Sequence, residues 1–406
     1  MRAPIRAAVL AALVLGLFHG ARAFAYDFGL DLTNNSNPLS DQGYTIIQKD
    51  RATAWAAIQL GVDSDLYVSG FYEFSGTFTD EGASYIPLRL DFGRTEYSGS
   101  ASSLFGPTSV LRWSVGRIWL SDFSGLLLSG LYDGARGELS IGNLSLSLSG
   151  SYTGLLYKED ALVYLDVSDA KVNADPSTYF APRHALASLG ARLSEVLPGQ
   201  DFGIDTWGQL DLEGNPGTDG AYVEPFFEGS LGSQFKWRSW LLYEYSYDTS
   251  SHNALAAGAL ARFSAPELAN LGVMASLDWA SGPAGALDAF TPIMLAPLSV
   301  ASVFTFSNAF SASVNLSCSP LRGLSTSLAG TALFRTSDYI SGVDNLRQNP
   351  SGYYLGSEAS ANASVRVTSD MTLSALGGIF FPNTATYYQD GTAPRWTVTL
   401  TAAFSV

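Results

Sequence analysis

The side chains here that could act on a solute are numerous, but almost all are charges on a patterned wall. Arg136, Glu138, Arg192, Asp205, Asp211, Glu224, Glu228, Arg238, Glu244, Arg262, Asp278, Glu358 and Arg366 each sit where polar and apolar residues alternate, and each takes the polar parity. On the wall of a watered passage, charges of both signs set a transverse field that orders water and favours polar solutes. On the apolar parity they would meet lipid, where an Arg or Lys costs ~2–4 kcal/mol at the bilayer midplane. The alternative is that they pair across strands and only satisfy one another. Of the 22 basic residues 18 are arginine, whose planar fork suits carboxylate, phosphate or sugar hydroxyls. The net charge of −15 points the other way, so composition leaves ion selectivity open.

Catalysis has less to work with. Beyond residue 25, histidine occurs only at His184 and His252, each near a strand end, where a solvated side chain is expected. No G-x-S-x-G, H-E-x-x-H, paired-cysteine or phosphate-loop pattern occurs. No enzyme activity, catalytic residue, metal site or cofactor is expected. Cys318 is the single cysteine, which permits no intrachain disulfide. It shares parity with Phe310, Ala312, Val314 and Leu316 and reads as a small apolar residue.

The elements that carry these charges are strands. In Leu144–Thr153, Leu144, Leu146, Leu148, Gly150 and Tyr152 share one parity, and Ser145, Ser147, Ser149, Ser151 and Thr153 the other. Successive strand side chains point to opposite faces, so one face is apolar and the other hydroxyl-lined. The same alternation recurs in 220–232, 271–280 and 353–368. A soluble sandwich would also alternate, but its hidden face needs larger residues than the alanines found here. Eighteen segments read as strands: 26–32, 52–62, 66–77, 87–98, 109–119, 133–142, 144–154, 183–195, 201–212, 220–232, 235–247, 252–264, 271–280, 307–319, 323–335, 353–368, 371–381 and 395–406. Most have the roughly 9–11 residues that a tilted membrane strand needs.

The connections alternate in length. Tight-turn sequences such as Gly142-Asn143, Pro198-Gly199-Gln200 and Ser369-Asp370 follow even-numbered strands. Long connections at 33–51, 155–182, 281–306, 336–352 and 382–394 follow odd-numbered ones. The pattern predicts an all-β fold: a transmembrane antiparallel up-and-down β-barrel of about 18 strands, with short periplasmic turns and long extracellular loops. The count falls to sixteen if 26–32 is outside the wall.

Residues 1–25 read as a signal peptide: Arg2 and Arg6, an apolar run from Ala7 to Phe18, and small-x-small sites for cleavage after Ala23 or Ala25. Residues 26–406 then form one barrel domain. The first 25 residues carry three arginines and no acid, so the remainder stands at −15 − 3 = −18. That balance argues against nucleic acid as a partner. The last strand, with Trp396, Val398, Leu400, Ala402, Phe404 and Val406 on one parity, is where barrel-assembly machinery is expected to dock. Trp237, Tyr243, Tyr245, Tyr247, Trp279, Trp396 and Phe404 share the apolar parity and fit aromatic girdles. Trp207 and Trp240 take the inward parity, where packing under an infolded loop is favoured over stacking on a sugar. The apolar stretch Ala289–Leu295 inside a long loop predicts that this loop folds into the mouth.

Short stretches, Val115-Gly116-Arg117, Asp133-Gly134-Ala135-Arg136, Tyr354-Leu355-Gly356-Ser357-Glu358 and Gly378-Ile379-Phe380-Phe381-Pro382, resemble the alginate-export porin family of bacterial outer membranes. They look equally like its relatives among spirochaete-type outer-membrane proteins. The resemblance implies an eighteen-stranded monomeric barrel that conducts an anionic polysaccharide or small solutes through an arginine-lined constriction. It also implies Arg117 and Arg136 as wall arginines, with Asp133 and Glu358 as their partners. The sequence reading is therefore a bacterial outer-membrane channel for passive diffusion of small hydrophilic, anionic or saccharide solutes, its partners being outer-membrane lipid and those solutes. The alternative is a loop-plugged structural barrel or surface adhesin.

Overall fold

The computed structural model describes residues 26–40, 44–163, 169, 171–172, 175, 177–213, 219–247, 251–284, 287–295, 297–302, 304–338, 351–389 and 391–405. The proposed signal segment lies outside them. Eighteen antiparallel strands close into one ring: β1 (Tyr26–Ser40), β2 (Tyr44–Gln59), β3 (Ser64–Thr79), β4 (Gly82–Ser102), β5 (Ser109–Ser121), β6 (Ser129–Ile141), β7 (Leu144–Tyr152), β8 (His184–Leu197), β9 (Gln200–Asp211), β10 (Asp219–Leu231), β11 (Phe235–Tyr247), β12 (Ser251–Ala265), β13 (Leu271–Ala280), β14 (Ala309–Leu321), β15 (Leu324–Arg335), β16 (Tyr354–Arg366), β17 (Met371–Pro382) and β18 (Arg395–Ser405). Each strand pairs with its sequence neighbours, and β1 closes the ring by pairing with β18, for example Asn35 opposite Thr401. Closure leaves no sheet edge, which is what a sheet needs in a medium without water to satisfy backbone groups.

The expected facing holds. Leu148, Leu328 and Leu400 are 62 %, 61 % and 49 % exposed on the outer parity, while Ser149, Glu224 and Glu358 on the other parity are buried beneath loops inside the ring. Exposed leucines are ordinary where the neighbour is an acyl chain rather than water.

Three expectations about the strands are corrected. The sixteen-strand alternative falls, because β1 is hydrogen-bonded on both sides. The long connection expected at 33–51 is mostly strand: β1 runs to Ser40 and β2 begins at Tyr44. Its Asn, Ser, Thr and Lys residues looked like loop, yet a strand that faces water inside needs only one apolar parity. Strand four spans Gly82–Ser102, not 87–98.

The hairpin β3–β4 therefore rises above β5. Pairing of β4 with β5 stops at Thr95–Arg117, so residues 82–94 pair with β3 only. Gly116 sits at that point with φ +126°, and a Cβ there would run into the carbonyl oxygen of Thr95. Only glycine allows the chains to approach so closely.

The connections after even-numbered strands form one end, the turn rim, where Gly323 supplies the positive φ of a two-residue turn. Those after odd-numbered strands form the other end, the loop rim, which holds the long connections but also the two-residue β3–β4 turn, Asp80-Glu81. Those that fold inward include 122–128, the β7–β8 segment that includes helix α1 (Lys158–Ala161), 281–308 and the β17–β18 connection, whose Tyr387 and Tyr388 are buried against Phe380 and Leu333.

Candidate functional site

The site is the lumen and what narrows it. The β5–β6 loop is closed on itself by Asp122, whose carboxylate accepts from the N–H of Leu128 (2.8 Å), the N–H of Gly125 (3.0 Å) and the Ser124 hydroxyl. Burial pushes this carboxyl above its ordinary range, against those hydrogen bonds. The loop does not stay at β5 and β6. It reaches β10, where Glu224 accepts from the N–H groups of Phe123 (3.1 Å) and Ser124 (2.9 Å). The Phe123 ring stacks on Phe226 at 3.9 Å between centroids. The Arg238 guanidinium of β11 donates to the Phe123 carbonyl at 3.4 Å.

The other loops join this crossing. The N–H of Met294 donates to Leu127 O, and that of Leu295 to Leu162 O, at 3.1 and 3.0 Å. Glu244 on β11 accepts from the Thr291 N–H at 2.7 Å. Glu358 on β16 accepts from the N–H groups of Val300, Ala301 and Ser302 at 2.8–3.0 Å and from the Ser299 hydroxyl at 2.7 Å. Beneath lies an apolar cluster that includes Ile118, Leu127, Trp207, Tyr222, Trp240, Phe290, Ile293 and Phe306. The expected infolding of Ala289–Leu295 is therefore present, and Trp207 and Trp240 pack under loops. None of the loop hydrogen bonds given above reaches β1 or β2.

The sequence-predicted charges divide into three groups. Glu224, Glu244 and Glu358 face inward but are sealed by the loop backbone they hold, so Glu358 is not the partner of an arginine, as the family resemblance had implied. A second group is paired. Arg192 meets Asp201 and Glu228, both at 2.5 Å, while Glu138 sits 3.7 Å from Arg136 and 3.9 Å from Arg112. Arg117 grips Asp133 through two hydrogen bonds of 2.9 Å; both take the parity of the exposed Val115 and Trp119, opposite to the buried Ile118 and Tyr132. The third group, Arg238, Arg262 and Arg366, forms no ion pair among the described residues. Of the remaining inward candidates, Asp205 lies against Gly190 and Asp278 against Gly258. Asp211 accepts from the N–H of Glu213 at 2.7 Å.

Sequence reasoning missed a larger network at the loop rim. Charges alternate along Arg51, Glu73, Arg89, Asp91, Arg117 and Asp133, each within 3.4 Å of the next. Asp160 of α1 adds a further carboxylate on Arg89, Tyr179 Oη donates to Asp91 at 2.9 Å, and the Tyr157 ring covers the Arg89 guanidinium at 3.9 Å. The network covers the step where β4 outruns β5: Arg117 Nη1 satisfies the Phe92 carbonyl at 2.8 Å, and Nη2 that of Leu155 at 3.1 Å. A usable signal existed, since Arg51, Glu73 and Arg89 alternate in sign on strands that become neighbours. It was hidden by reading 33–51 as a loop.

His184 also departs from expectation. It is buried rather than solvated, with Nε2 at 3.2 Å from both Asp169 carboxylate oxygens, because the β7–β8 segment folds over it. His252 stays partly exposed, 3.5 Å from Asp288.

Neutralising Arg192 would leave Asp201 and Glu228 facing water without their shared cation. Arg192→Ala is expected to move the reversal potential under a salt gradient towards cation selectivity, while changing stability by ~1 kcal/mol or less, because the pair is partly exposed. An unchanged reversal potential would place this triad away from the conducting path.

No protein-family model matches the chain, and no curated protein matches it in sequence. Solved structures do match. OpdL of Pseudomonas aeruginosa superposes with a TM-score of 0.59 at 14 % identity, over 94 % of this chain and 98 % of its own. OccK5 (OpdH) of the same organism gives 0.57 at 10 %, also over 94 % and 98 %. OprD gives 0.53 at 11 %, over 95 % and 97 %. These are outer-membrane porins of the Occ/OprD group, not alginate exporters. At such identity the likeness is one of architecture: this chain has the closed eighteen-stranded antiparallel barrel of a porin.

Proposed function

We propose that the protein is an outer-membrane channel through which small hydrophilic solutes diffuse passively. The observation that carries this reading is a closed barrel with an apolar outside and a polar inside, narrowed at the loop rim by a partition of infolded loops docked from β4 round to β16. Glu224, Glu244 and Glu358 fix that partition, and the sector beside β1 and β2 bears none of its hydrogen bonds. A passage can persist there, whereas loops bonded around the whole circumference would favour a plugged barrel. Apolar strand parity against lipid also supports placement in the outer membrane, after export directed by residues 1–25.

The alginate-export resemblance would make the cargo an anionic polysaccharide. The pairing of wall arginines with carboxylates weighs against so strongly charged a solute. Arg136, Glu138, Arg192, Glu228, Arg238, Arg262 and Arg366 are the inward charges best placed to shape the field. Docking of the last strand on barrel-assembly machinery remains part of the proposal.

The test is single-channel conductance of the refolded mature protein in a planar bilayer. Steady conductance is the expected result. A folded, heat-modifiable barrel that passes no current would overturn the channel reading and move the weight to a structural or adhesive barrel.

A further inference from the structure

The inner wall is chemically lopsided. From β2 to β11 it carries the ion pairs described above. From β14 to β18 the inward positions are mostly hydroxyls and amides, interrupted by the apolar Leu333, Leu376 and Phe380 and by Arg335, Arg366 and Arg395, and the one carboxylate, Glu358, is sealed by its loop. Strand register lines these groups up. Ser325 of β15 faces Ser364 of β16, Ser364 faces Ser374 of β17, Ser374 faces Thr401 of β18, and Thr401 faces Asn35 of β1. Neighbouring strands lie ≈ 4.7–4.9 Å apart, so the row repeats a hydrogen-bonding group at that interval across five strands. Lys49 of β2 continues it.

Two further observations separate this row from ordinary polar lining. Ser325, Ser364, Ser374 and Thr401 make no side-chain hydrogen bond among the described residues, unlike Ser149–Ser188 (2.6 Å) and Ser276–Ser313 (2.8 Å), which satisfy one another. Asn35 Oδ1 is shielded from solvent and has no hydrogen-bond partner there. The row also borders open space, a cavity of about 830 Å³ near the turn rim lined in part by Ser325, Ser364 and Thr372. It runs through β1 to Lys49 of β2, in the sector that none of the loop hydrogen bonds given above reaches.

We propose that this row is a track for neutral polyhydroxylated solutes, sugars or polyols, which exchange hydrogen bonds from strand to strand as they pass; the proposal rests on the channel reading above. Each hydroxyl both donates and accepts, as the hydroxyls of such a solute do, so the match survives many orientations. A carboxylate solute would gain only the donors. It would also meet the paired acids of the opposite wall. The competing features are two cations: Lys49 at the end of the row, and Arg366, one row nearer the turn rim and without an ion-pair partner among the described residues.

The test is liposome swelling with the mature protein, comparing glucose with gluconate, which are close in size, for the wild type and for the combined S325A, S364A, S374A and T401V variant. Folding of both is checked by heat-modifiable migration. Glucose is expected to enter faster than gluconate in the wild type. The variant should slow glucose about fivefold, as losing roughly one net hydrogen bond would do, while potassium chloride conductance stays nearly unchanged. Faster entry of gluconate, or a variant with an unaltered ratio of the two rates, would overturn the track while leaving the channel standing. Conductance and swelling both absent from a folded barrel would remove the channel reading and the track with it. If the combined variant does not fold, S364A with T401V alone carries the same comparison, with a smaller expected loss.

Discussion

Glu224→Ala is expected to give a channel of larger and noisier conductance than the wild type. Glu224 is a buried carboxylate of β10 that accepts two backbone N–H groups from a loop rooted at β5 and β6. Alanine leaves both donors without an acceptor in a site closed to water, at ~1–3 kcal/mol for each. What remains to hold the loop on β10 and β11 is the Phe123–Phe226 stack, one 3.4 Å hydrogen bond from Arg238 and the apolar packing of Leu127 and Leu128. Release does not stop at one loop, because Leu127 O receives the Met294 N–H of the β13–β14 loop. Glu224→Gln keeps an acceptor and should fall between the two. Single-channel recordings of the three proteins decide the matter, and identical traces would show that the loop is held by its apolar contacts alone.

The second large effect belongs to Arg89. Its side chain is 5 % exposed and lies against Glu73, Asp91 and Asp160, between the rings of Phe71 and Tyr157. Removing one partner of a buried ion pair typically costs ~3–5 kcal/mol, because the remaining charges stay uncompensated. Arg89→Met keeps much of the volume and removes the charge. The cost is local to the step above β5, so the expected result is undocking of α1 from β4 while the barrel below stays closed. Limited proteolysis should then cut within the β7–β8 segment at concentrations that leave the wild type intact. Asp160→Asn should do less, since Asp160 is half exposed and Arg89 keeps Glu73 and Asp91. Equal resistance of Arg89→Met and wild type would show that apolar packing at Leu156 and Val163 suffices.

These two residues mark how far a linear reading reaches. Glu224 was legible as inward-facing, because Val223, Pro225 and Phe227 alternate with it and a charge on their side would meet lipid. Its role was not legible. The donors it serves are about a hundred positions earlier in the chain, and nothing local in either segment records the meeting. Arg89 was passed over because Arg51, which heads its chain of ion pairs through Glu73, lies in a segment rich in polar residues that imitates loop. His184 failed for a related reason: a strand end looks solvated until a distant segment covers it.

What the sequence by itself determined is the set of properties that repeat with period two. Alternation assigns each residue to lipid or lumen, turn sequences at every second connection set the strand direction, and together they require a closed ring of even number. Such signals are local and redundant, so one lapse, such as the short reading of β1, does not disturb the whole. The tertiary structure alone decided which loops cross the lumen and where they dock. It also decided which charges are spent on holding them and which side of the wall stays open. Those depend on contacts between residues far apart in the chain, made by backbone N–H groups that every residue carries and that leave no mark in the pattern of side chains.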